Sequence, residues 1–515
     1  MGLLEVTENT NPTHTEIRSH GIVKSAGALA TVSLLALGVS LLREVVIAAK
    51  IGAGAEVDAY LVAVLYPTLL ASIFVNTLTS ALIPIYQKAS LAGPGAKEEY
   101  VSASWTLTLI GMAVLFTSFA VLMRPALLLS TPGFDDAKRA LTVRMALLLL
   151  PAGICNGLIG FQSALLNAER AFVVPALATS LGAVGILLTV LSVGRTIGVL
   201  AIPYGALLGA VAGLVVVSVY ARGKGVRLRL VRSFWTPEVR RTVLLAVPLS
   251  IGVIGTFATL IVDRAMASTL GAGAIASLGY ADKVIKIPET VIMGALAVVL
   301  FPYLTQAAVS GDTREMKSVS TLGLNLMLLI LLPASLFCLV MSRPLVGVIF
   351  QRGQFDATAT HLTANALSGY GAGLIFIGMG YVFPRILLAL GKSHMIALLG
   401  ATNVLLKIAY NWLLIPYLGH AGIAFGTSLM YATTDVLFVV LLLRAGVRFN
   451  VKSLLLSFGV GLGLSAVMLS VALGVQSLGI DASVAVPGAV TGGVVAVYFL
   501  YRWRRLRSLV FVGYE

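Results

Sequence analysis

The sequence predicts an all-α polytopic membrane protein with about 14 transmembrane helices, arranged as two parallel six-helix lobes plus two C-terminal helices. Three observations lead to this fold class. Of the 515 residues, 58% are hydrophobic and 11% are charged, whereas soluble domains average about 25% charged residues. Apolar runs of about 20 residues, the length that crosses a bilayer, recur along the whole chain. A set of landmarks also repeats at a spacing of about 220 residues, which indicates duplicated halves.

The apolar runs define fourteen candidate spans, numbered here in chain order. They cover residues 23–42, 57–82, 101–123, 141–165, 172–193, 197–221, 242–270, 275–308, 319–342, 361–382, 394–417, 420–443, 454–475 and 484–502. The longest of them, 275–308, contains Pro288. We expect this span to be kinked or broken, because proline lacks the N–H that the helical hydrogen bond requires.

The repeat consists of three landmarks in the same order in both halves. Residues 43–54 match residues 263–273, the segment 83–86 matches 301–304, and 165–170 matches 387–392. Each copy contains six spans, which is an even number. The halves are therefore expected to have the same orientation and to be related by an axis along the membrane normal.

Basic loops predict how the chain is oriented and divided. The segments 222–241 and 444–452 and the tail after residue 502 are rich in Lys and Arg and fall on one face of the fourteen-span arrangement. Because such residues favour the cytoplasm, both termini are expected there. The predicted segments are a cytoplasmic N-terminal tail (1–20), an N-lobe with spans 1–6 (21–221), a basic cytoplasmic linker (222–241), a C-lobe with spans 7–12 (242–443), and spans 13 and 14 with a basic tail (444–515).

Several function classes are not expected for this chain. The net charge of +15 lies in loops between apolar runs, where the membrane orientation explains it, and a nucleic-acid partner is not predicted. Cys155 and Cys338 form neither a disulfide framework nor a metal quartet. Residues 391–393 read Gly-Lys-Ser, but Ile386 stands where a phosphate-binding loop needs glycine, and so no nucleotide is predicted.

No enzyme activity is expected either, because no nucleophile and base, and no metal cluster, can be recognised in the sequence. Catalytic residues, metals and cofactors are therefore predicted to be absent. Energy for transport, where it is needed, is expected to come from an ion gradient or the membrane potential.

Ionisable and polar residues within the spans mark the candidate site, since a charge inside the bilayer is costly and usually faces a cavity or a partner. They are densest in spans 1–2 and 7–8, which are equivalent parts of the two halves. The predicted cavity cations are Arg43, Arg264, Lys283 and Lys286, and the predicted cavity acids and polar groups are Glu44, Asp58, Asn76, Asp263 and Asp282. Lys407 and Asp435, in spans 11 and 12, are expected to form pairs between helices.

A cationic cavity of this kind suits an anionic head group such as a diphosphate, which arginine binds through two parallel hydrogen bonds and lysine binds as a point charge. The acids would partly neutralise the cations while the site is empty. The alternative is that these residues form structural salt bridges, or lie near the water boundary where a charge costs little. Pro67 and Pro288, at matching places in the repeat, are candidate hinges; the alternative is that they only kink their helices.

An ordered series of motifs resembles a known transporter family. The motifs are Arg43-Glu44, Gly52-Ala53-Gly54, Asp58-Ala59, Pro67, Pro84, Thr131-Pro132-Gly133-Phe134, Tyr280-Ala281-Asp282-Lys283 and Phe350-Gln351-Arg352-Gly353-Gln354-Phe355. In this respect the chain is similar to the MurJ/MviN lipid II flippases of the MOP exporter superfamily. The resemblance carries over to Arg43, to Asp58 and, as a change from Arg to Lys, to Lys283.

The resemblance implies two six-helix lobes around a cationic cavity, with an apolar groove for a lipid tail formed by the last two helices. It implies a flippase that works by alternating access in the bacterial cytoplasmic (inner) membrane. The substrate would be an undecaprenyl-diphosphate-linked sugar, namely the lipid-linked peptidoglycan precursor lipid II. The lipid bilayer and cell-wall synthesis proteins would be its surroundings and partners.

The chain departs from the family pattern at four positions. Leu37, Ala71 and Ser72 stand where the family has arginines, and Asn76 stands where it has an acid. These departures favour an alternative, a flippase for another polyprenyl-diphosphate-linked glycan such as an exopolysaccharide or O-antigen unit. A cation-coupled exporter of small molecules and a membrane scaffold without transport activity are further alternatives.

Overall fold

The computed structural model describes residues 14–477, and within them the chain forms sixteen α-helices. They are α1 (His14–Ile51), α2 (Ala55–Ala63), α3 (Leu65–Ala92), α4 (Pro94–Ser130), α5 (Asp136–Ala168), α6 (Val173–Ile197), α7 (Ala201–Gly223), α8 (Pro237–Ser268), α9 (Ala274–Pro288), α10 (Ala295–Ser310), α11 (Thr313–Val340), α12 (Ser342–Phe350), α13 (Ala357–Ala389), α14 (Ser393–Leu418), α15 (His420–Arg444) and α16 (Val451–Ser477). Predicted span 14 (484–502), the C-terminal tail and residues 1–13 of the N-terminal tail lie outside the described residues.

The all-helical membrane fold predicted from the sequence is confirmed. In the described residues, eleven helical stretches are long and apolar enough to cross a bilayer, or twelve when the bent pair α9 and α10 is included. One of the eleven, Val173–Gly223, contains both α6 and α7. Predicted spans 1 to 13 therefore each correspond to a helix or to a broken pair of helices.

Close glycine contacts explain why α6 and α7 form two spans rather than one long helix. A Cβ added at Gly209 would lie 2.2 Å from the backbone oxygen of Leu181, and one added at Gly205 would lie 2.6 Å from that of Gly185. Because the later residue of α7 meets the earlier residue of α6, the two helices run antiparallel. Small residues allow helix backbones in a membrane to approach this closely.

The helices pack into two bundles. Helices α1 to α7 pack mainly on one another, and α9 to α16 do the same. Helix α8 joins the two, because its first half packs on α3 and α4 and its second half packs on α14. The hydroxyls of Tyr100 and Thr242, which lie 2.7 Å apart, mark the first of these contacts.

Both predicted hinge prolines lie at helix interruptions. Pro67 is in the first turn of α3, immediately after α2 ends near Val64. Pro288 ends α9, and a π-helical turn (Glu289–Gly294) separates it from α10. The two parts of this span are bent by 44°, which confirms the expected break in 275–308. The break in span 2 and the short helix α12 were not predicted.

Candidate functional site

The two repeats meet at equivalent turns, one after α1 and one after α8. Gly273 has a left-handed backbone (φ +85°), and a Cβ at this position would lie 2.6 Å from the backbone oxygen of Ala53. Tyr280 donates a hydrogen bond of 2.8 Å to the backbone oxygen of Gly52. The starts of α2 and α9 therefore face each other, as the repeat predicts for these parts of the two halves.

Asp58 links the two bundles at this contact. Its side chain is fully buried, and Oδ2 accepts hydrogen bonds from the backbone N–H of Gly273 (2.8 Å) and from Lys138 Nζ (2.9 Å). Oδ1 accepts a hydrogen bond of 2.7 Å from the N–H of Ala276. The first N–H groups of a helix lack partners within the helix and carry partial positive charge. The carboxylate of Asp58 satisfies two such groups of α9, and it is thus part of a closed contact rather than of an open cavity surface.

Arg43, Glu44 and Lys283 lie where α1 faces α9. Arg43 forms an ion pair with the buried Glu44, and the charge of Lys283 also acts on Glu44. The half-buried Lys283 has no hydrogen-bond or ion-pair partner within the described part of the chain. This arrangement has two cations and one acid, and it leaves the Lys283 ammonium available to an anion.

Lys286 belongs to a second group that faces α13. Its ammonium forms an ion pair of 2.6 Å with Glu289 Oε2, and Tyr381 donates a hydrogen bond of 2.7 Å to Glu289 Oε1. The charge of the half-buried Asp282 acts on Lys286 as well. Sequence reasoning missed Glu289, although an acid directly after Pro288 in an apolar span meets the same criterion as the residues that were selected.

The structure places Asp263 inside the second bundle, on the side of α8 that faces α14. Its Oδ2 lies 3.0 Å from the ammonium of Lys407, whose residue is only 2% exposed, and Asn411 donates a hydrogen bond of 2.9 Å to Oδ1. The expected interhelical pairing of Lys407 is therefore confirmed. Arg264, on the same helix, donates a hydrogen bond of 3.0 Å to the backbone oxygen of Ile275 in α9.

Two other predictions have different outcomes. Asp435 was expected to pair between helices, but neither of its buried carboxylate oxygens has a hydrogen-bond partner among the described residues. This expectation was wrong, because Arg385 of α13 donates to the backbone oxygen of Tyr381, and Lys407 of α14 pairs with Asp263 instead. Asn76 has an exposed side chain on α3, and it does not join the ionisable groups around α9.

The contact between the bundles closes one face of the protein. Besides Asp58, Gln354 N–H donates a hydrogen bond of 2.9 Å to the backbone oxygen of Ala49, and Gly133 N–H donates one of 3.1 Å to Ser268 Oγ. Helices α3 and α10 continue α2 and α9 towards the other face. Within the described residues, α3 and α10 do not pack on each other as extensively as α2 and α9 do. The bundles therefore converge at this face and separate towards the other.

A family model described as "Lipid II flippase MurJ" matches residues 47–485, which is most of the chain. The chain belongs to the MurJ family. Its sequence is 29% identical over 478 residues to a probable lipid II flippase MurJ of Rhizobium tropici, covering 90% of this chain and 84% of that protein. It is 26% identical over 442 residues to the lipid II flippase MurJ of Burkholderia cenocepacia, covering 82% of this chain and 84% of the relative.

Solved structures show the same fold as the MurJ-family chain described here. A lipid II flippase MurJ in an inward closed conformation superposes with a TM-score of 0.78 at 19% identity, covering 92% of this chain and 98% of that structure. An inward-facing multidrug resistance MATE transporter of the MOP superfamily gives a TM-score of 0.67 at 13% identity, covering 79% and 93%. The predicted membership of the MOP fold is confirmed.

The MurJ-family motifs recognised in the sequence coincide with contacts between the bundles. A Cβ at Gly353 would lie 2.1 Å from the backbone oxygen of Ala49, and a Cβ at Gly133 would lie 2.3 Å from that of Ser268. The aromatic rings of Tyr280, Phe350 and Phe355 also pack against one another beside these turns. The glycine and aromatic residues of these motifs thus pack at the closed face, where the two bundles meet.

Proposed function

We propose that this protein is a lipid II flippase that works by alternating access across the bacterial cytoplasmic membrane, with both termini in the cytoplasm. Membership of the MurJ family and the two-bundle fold support this function. The structural observation that carries it is the position of Lys283, a half-buried ammonium between the bundles without a partner in the described part of the chain.

Lys283 and Arg43 are the groups that we expect to bind the diphosphate. Burial between the helices lowers the effective dielectric, which strengthens the attraction between these cations and a phosphate. A doubly charged head group would compete with Glu44 for the Arg43 guanidinium. Arg43 would then bind phosphate oxygens through parallel hydrogen bonds, while Lys283 would contribute a point charge.

Transport requires that the closed face opens while the opposite face closes. In the predicted orientation the closed face, which contains Asp58, Gly133 and Gly353, is the outer one. The head group would enter from the cytoplasmic side, where α3 and α10 are separated, while its lipid tail stays in the bilayer. We expect the bundles to rock at the interruptions beside Pro67 and Pro288, since these helix segments lack continuous α-helical hydrogen bonding. An ion gradient or the membrane potential would drive the cycle.

Complementation of a bacterium depleted of its own lipid II flippase tests this proposal. The wild type should rescue growth, whereas Lys283→Ala should fail, and Lys283→Arg should rescue because it keeps the charge. One charge-assisted hydrogen bond contributes roughly 1.5–3 kcal/mol, so the flipping rate of Lys283→Ala should fall by at least about tenfold. Arg43→Ala should behave in the same way, and Arg264→Ala tests the cation of α8. The amount of each variant in the membrane is measured as the control.

Two outcomes would contradict parts of the proposal. Rescue by Lys283→Ala and Arg43→Ala at wild-type levels would show that these cations do not bind the substrate. Failure of a well-expressed wild type would exclude lipid II in that host. That failure would favour another polyprenyl-diphosphate-linked glycan as the substrate. The same alternative is favoured by Leu37, Ala71 and Ser72, which stand in place of family arginines.

A further inference from the structure

Asp435 is a carboxyl group in a membrane-spanning helix without a polar partner. Asp435, in α15, is only 5% exposed as a whole residue. Both of its carboxylate oxygens are buried and form no hydrogen bond among the described residues. The buried acids Glu44, Asp58 and Asp263 each form an ion pair. An ionisable group placed inside the membrane is a functional candidate by default, and the absence of a partner makes Asp435 different from these three acids.

Four cations on the helices that pack against α15 contact groups other than Asp435. Helix α15 packs on α8, α9, α13 and α14. Tyr370 and Lys407 form hydrogen bonds with Thr427 of α15, Tyr410 forms one with Thr433, and the charges of Asp282, Lys286 and Glu289 act on Tyr431. The other titratable groups on the same elements are Asp263, Arg264, Tyr381 and Arg385. Arg264 donates to the Ile275 oxygen, Lys286 to Glu289, Arg385 to the Tyr381 oxygen, and Lys407 to Asp263. Lys283, also on α9, faces Glu44 of α1. Within the described residues, none of these cations forms a hydrogen bond or an ion pair with Asp435.

A buried carboxylate without a counter-charge is unfavourable, because its desolvation is not offset by an opposite charge. The carboxyl group must then be neutral or must hold a cation. A metal cation needs several ligands, and the described residues contain no group of three or more His, Cys, Asp or Glu side chains that could hold one. A proton needs only the carboxylate itself. The surroundings of Asp435 thus favour a proton over a metal ion.

Asp435 lies where a change in its charge would affect the broken helix. Tyr431 precedes Asp435 by one helical turn, and the charges of Asp435, Lys286 and Glu289 all act on its phenol. Gly380 of α13 leaves space beside both residues, since a Cβ there would lie 3.7 Å from the Tyr431 ring and 3.9 Å from Asp435 Oδ1. A negative charge on Asp435 would therefore be felt at the Lys286–Glu289 pair, where α9 gives way to the π turn.

We propose that Asp435 is a proton-binding site that couples proton movement to the transport cycle. The carboxyl group holds one proton in the conformation described here. When the second bundle rearranges and admits water, the O–H bond breaks, the proton passes to water and the carboxylate remains. Return to the closed arrangement takes one proton back from water. The coupling part rests on the proposed transport function, whereas the proton site itself does not.

Infrared spectroscopy of the purified full-length protein tests the proton site directly. At neutral pH the wild type should show the C=O stretch of a protonated carboxylic acid, and Asp435→Asn, which has nearly the same shape as the neutral acid, should lose this band. Asp136→Asn is the control and should keep the band, because the Asp136 side chain is fully exposed and forms an ion pair with Arg139. Asp435→Glu should restore a band if the site tolerates the longer side chain, and it serves as a second variant should Asp435→Asn fold poorly.

Three results would overturn the proton site. One is a wild-type spectrum in which the band develops only below about pH 4, the ordinary range of an aspartate. Another is a band that persists in Asp435→Asn. The third is loss of the band on adding Na⁺ at constant pH, which would assign the site to a metal cation instead.

The coupling is tested in liposomes that contain lipid II. A pH gradient should change the flipping rate of the wild type, and the rate of Asp435→Asn should not respond to it. A wild-type rate that is the same with and without the gradient would overturn the coupling. Absence of any flipping by a folded wild type would instead contradict the proposed function, and the infrared result would still decide whether Asp435 binds a proton.

Discussion

Asp58 Oδ2 and the backbone N–H of Gly273, which are 215 residues apart in the chain, form a hydrogen bond of 2.8 Å. The two residues lie at the starts of α2 and α9, which are equivalent helices in the two repeats. The pseudo-symmetry of the duplicated chain therefore places an acid of one half against a helix N-terminus of the other. Opening of this face must break the contact, and its strength contributes to the balance between the two states of a transporter.

Removal of the Asp58 carboxylate should destabilise the closed face. In Asp58→Ala, Lys138 and the N–H groups of Gly273 and Ala276 lose their acceptor, and loss of one partner of a buried ion pair costs roughly 3–5 kcal/mol. We expect a lower thermal unfolding temperature in detergent. Thr131 is fully buried. In the Asp58→Ala background, the Thr131→Cys variant should also react faster with a water-soluble maleimide than it does when Asp58 is present. Asp136→Ala, at an exposed carboxylate, is the control, and an equal effect of both substitutions would contradict the structural link.

Substitutions at two glycines in one turn allow the cost of backbone strain to be measured separately from the cost of disturbing the contact between the bundles. Gly271 and Gly273 both have positive φ, +96° and +85°, but a Cβ at Gly271 meets nothing within 4 Å, whereas one at Gly273 would meet the Ala53 oxygen at 2.6 Å. Gly271→Ala should therefore cost only the left-handed backbone, about 1–2 kcal/mol. Gly273→Ala should cost about 1–3 kcal/mol more, since the backbones must move apart. Thermal unfolding compares them, and equal losses would show that the turn–turn contact contributes nothing.

The Asp263–Lys407 pair should behave as a coupled unit. Lys407→Met leaves a buried carboxylate without its cation, and Asp263→Leu leaves a buried ammonium without its anion, so each should lose roughly 3–5 kcal/mol of stability. The double variant removes both charges and should regain most of that loss. A double-mutant cycle of unfolding free energies measures the coupling. Additive losses would mean that the 3.0 Å contact does not stabilise the bundle.

The helices and the repeat could be predicted from the sequence because their signals are local. An apolar run of about 20 residues specifies a span whatever it packs against. The matched turns at 52–54 and 271–273 predict a symmetric contact between the two halves. The same logic led to Arg43, Lys283 and the interhelical pairing of Lys407. The break beside Pro67 was missed, because a proline in the first turn of a helix leaves no interruption in the apolar pattern.

The partners of the buried acids could not be predicted in the same way. Asp58 binds Lys138, a lysine in the first turn of α5 that is 80 residues away, and two backbone N–H groups that have no side-chain signal. Asp435 was expected to be paired, but the absence of a partner depends on how α13 and α14 pack around it. Charge in a span therefore indicates that a residue matters, whereas only packing decides whether it binds substrate, links helices or holds a proton.

A pH-dependent contact lies at the end of α5, outside the membrane-spanning segments. Glu169 accepts hydrogen bonds from Lys97 Nζ (2.6 Å) and from the Tyr86 hydroxyl, and these bonds, that from Lys97 above all, lower the pKa of Glu169 below its ordinary value. A carboxyl whose pKa is lower in the folded state adds stability above its unfolded pKa of about 4.3, and this contribution is lost as the pH falls through the folded value. Because the side chain is 37% exposed, we expect at most about 1 kcal/mol.

Glu169→Gln tests this contact, because the amide keeps the shape and cannot titrate. At neutral pH the variant should unfold at a lower temperature than the wild type. The difference between them should shrink as the pH falls from about 4.3, the ordinary pKa of a glutamate, through the lower pKa of folded Glu169. Glu99→Gln, at an exposed carboxylate of α4, should show no such convergence. A difference between Glu169→Gln and wild type that stays constant over this pH range would mean that the charge of Glu169 does not hold α3, α4 and α5 together.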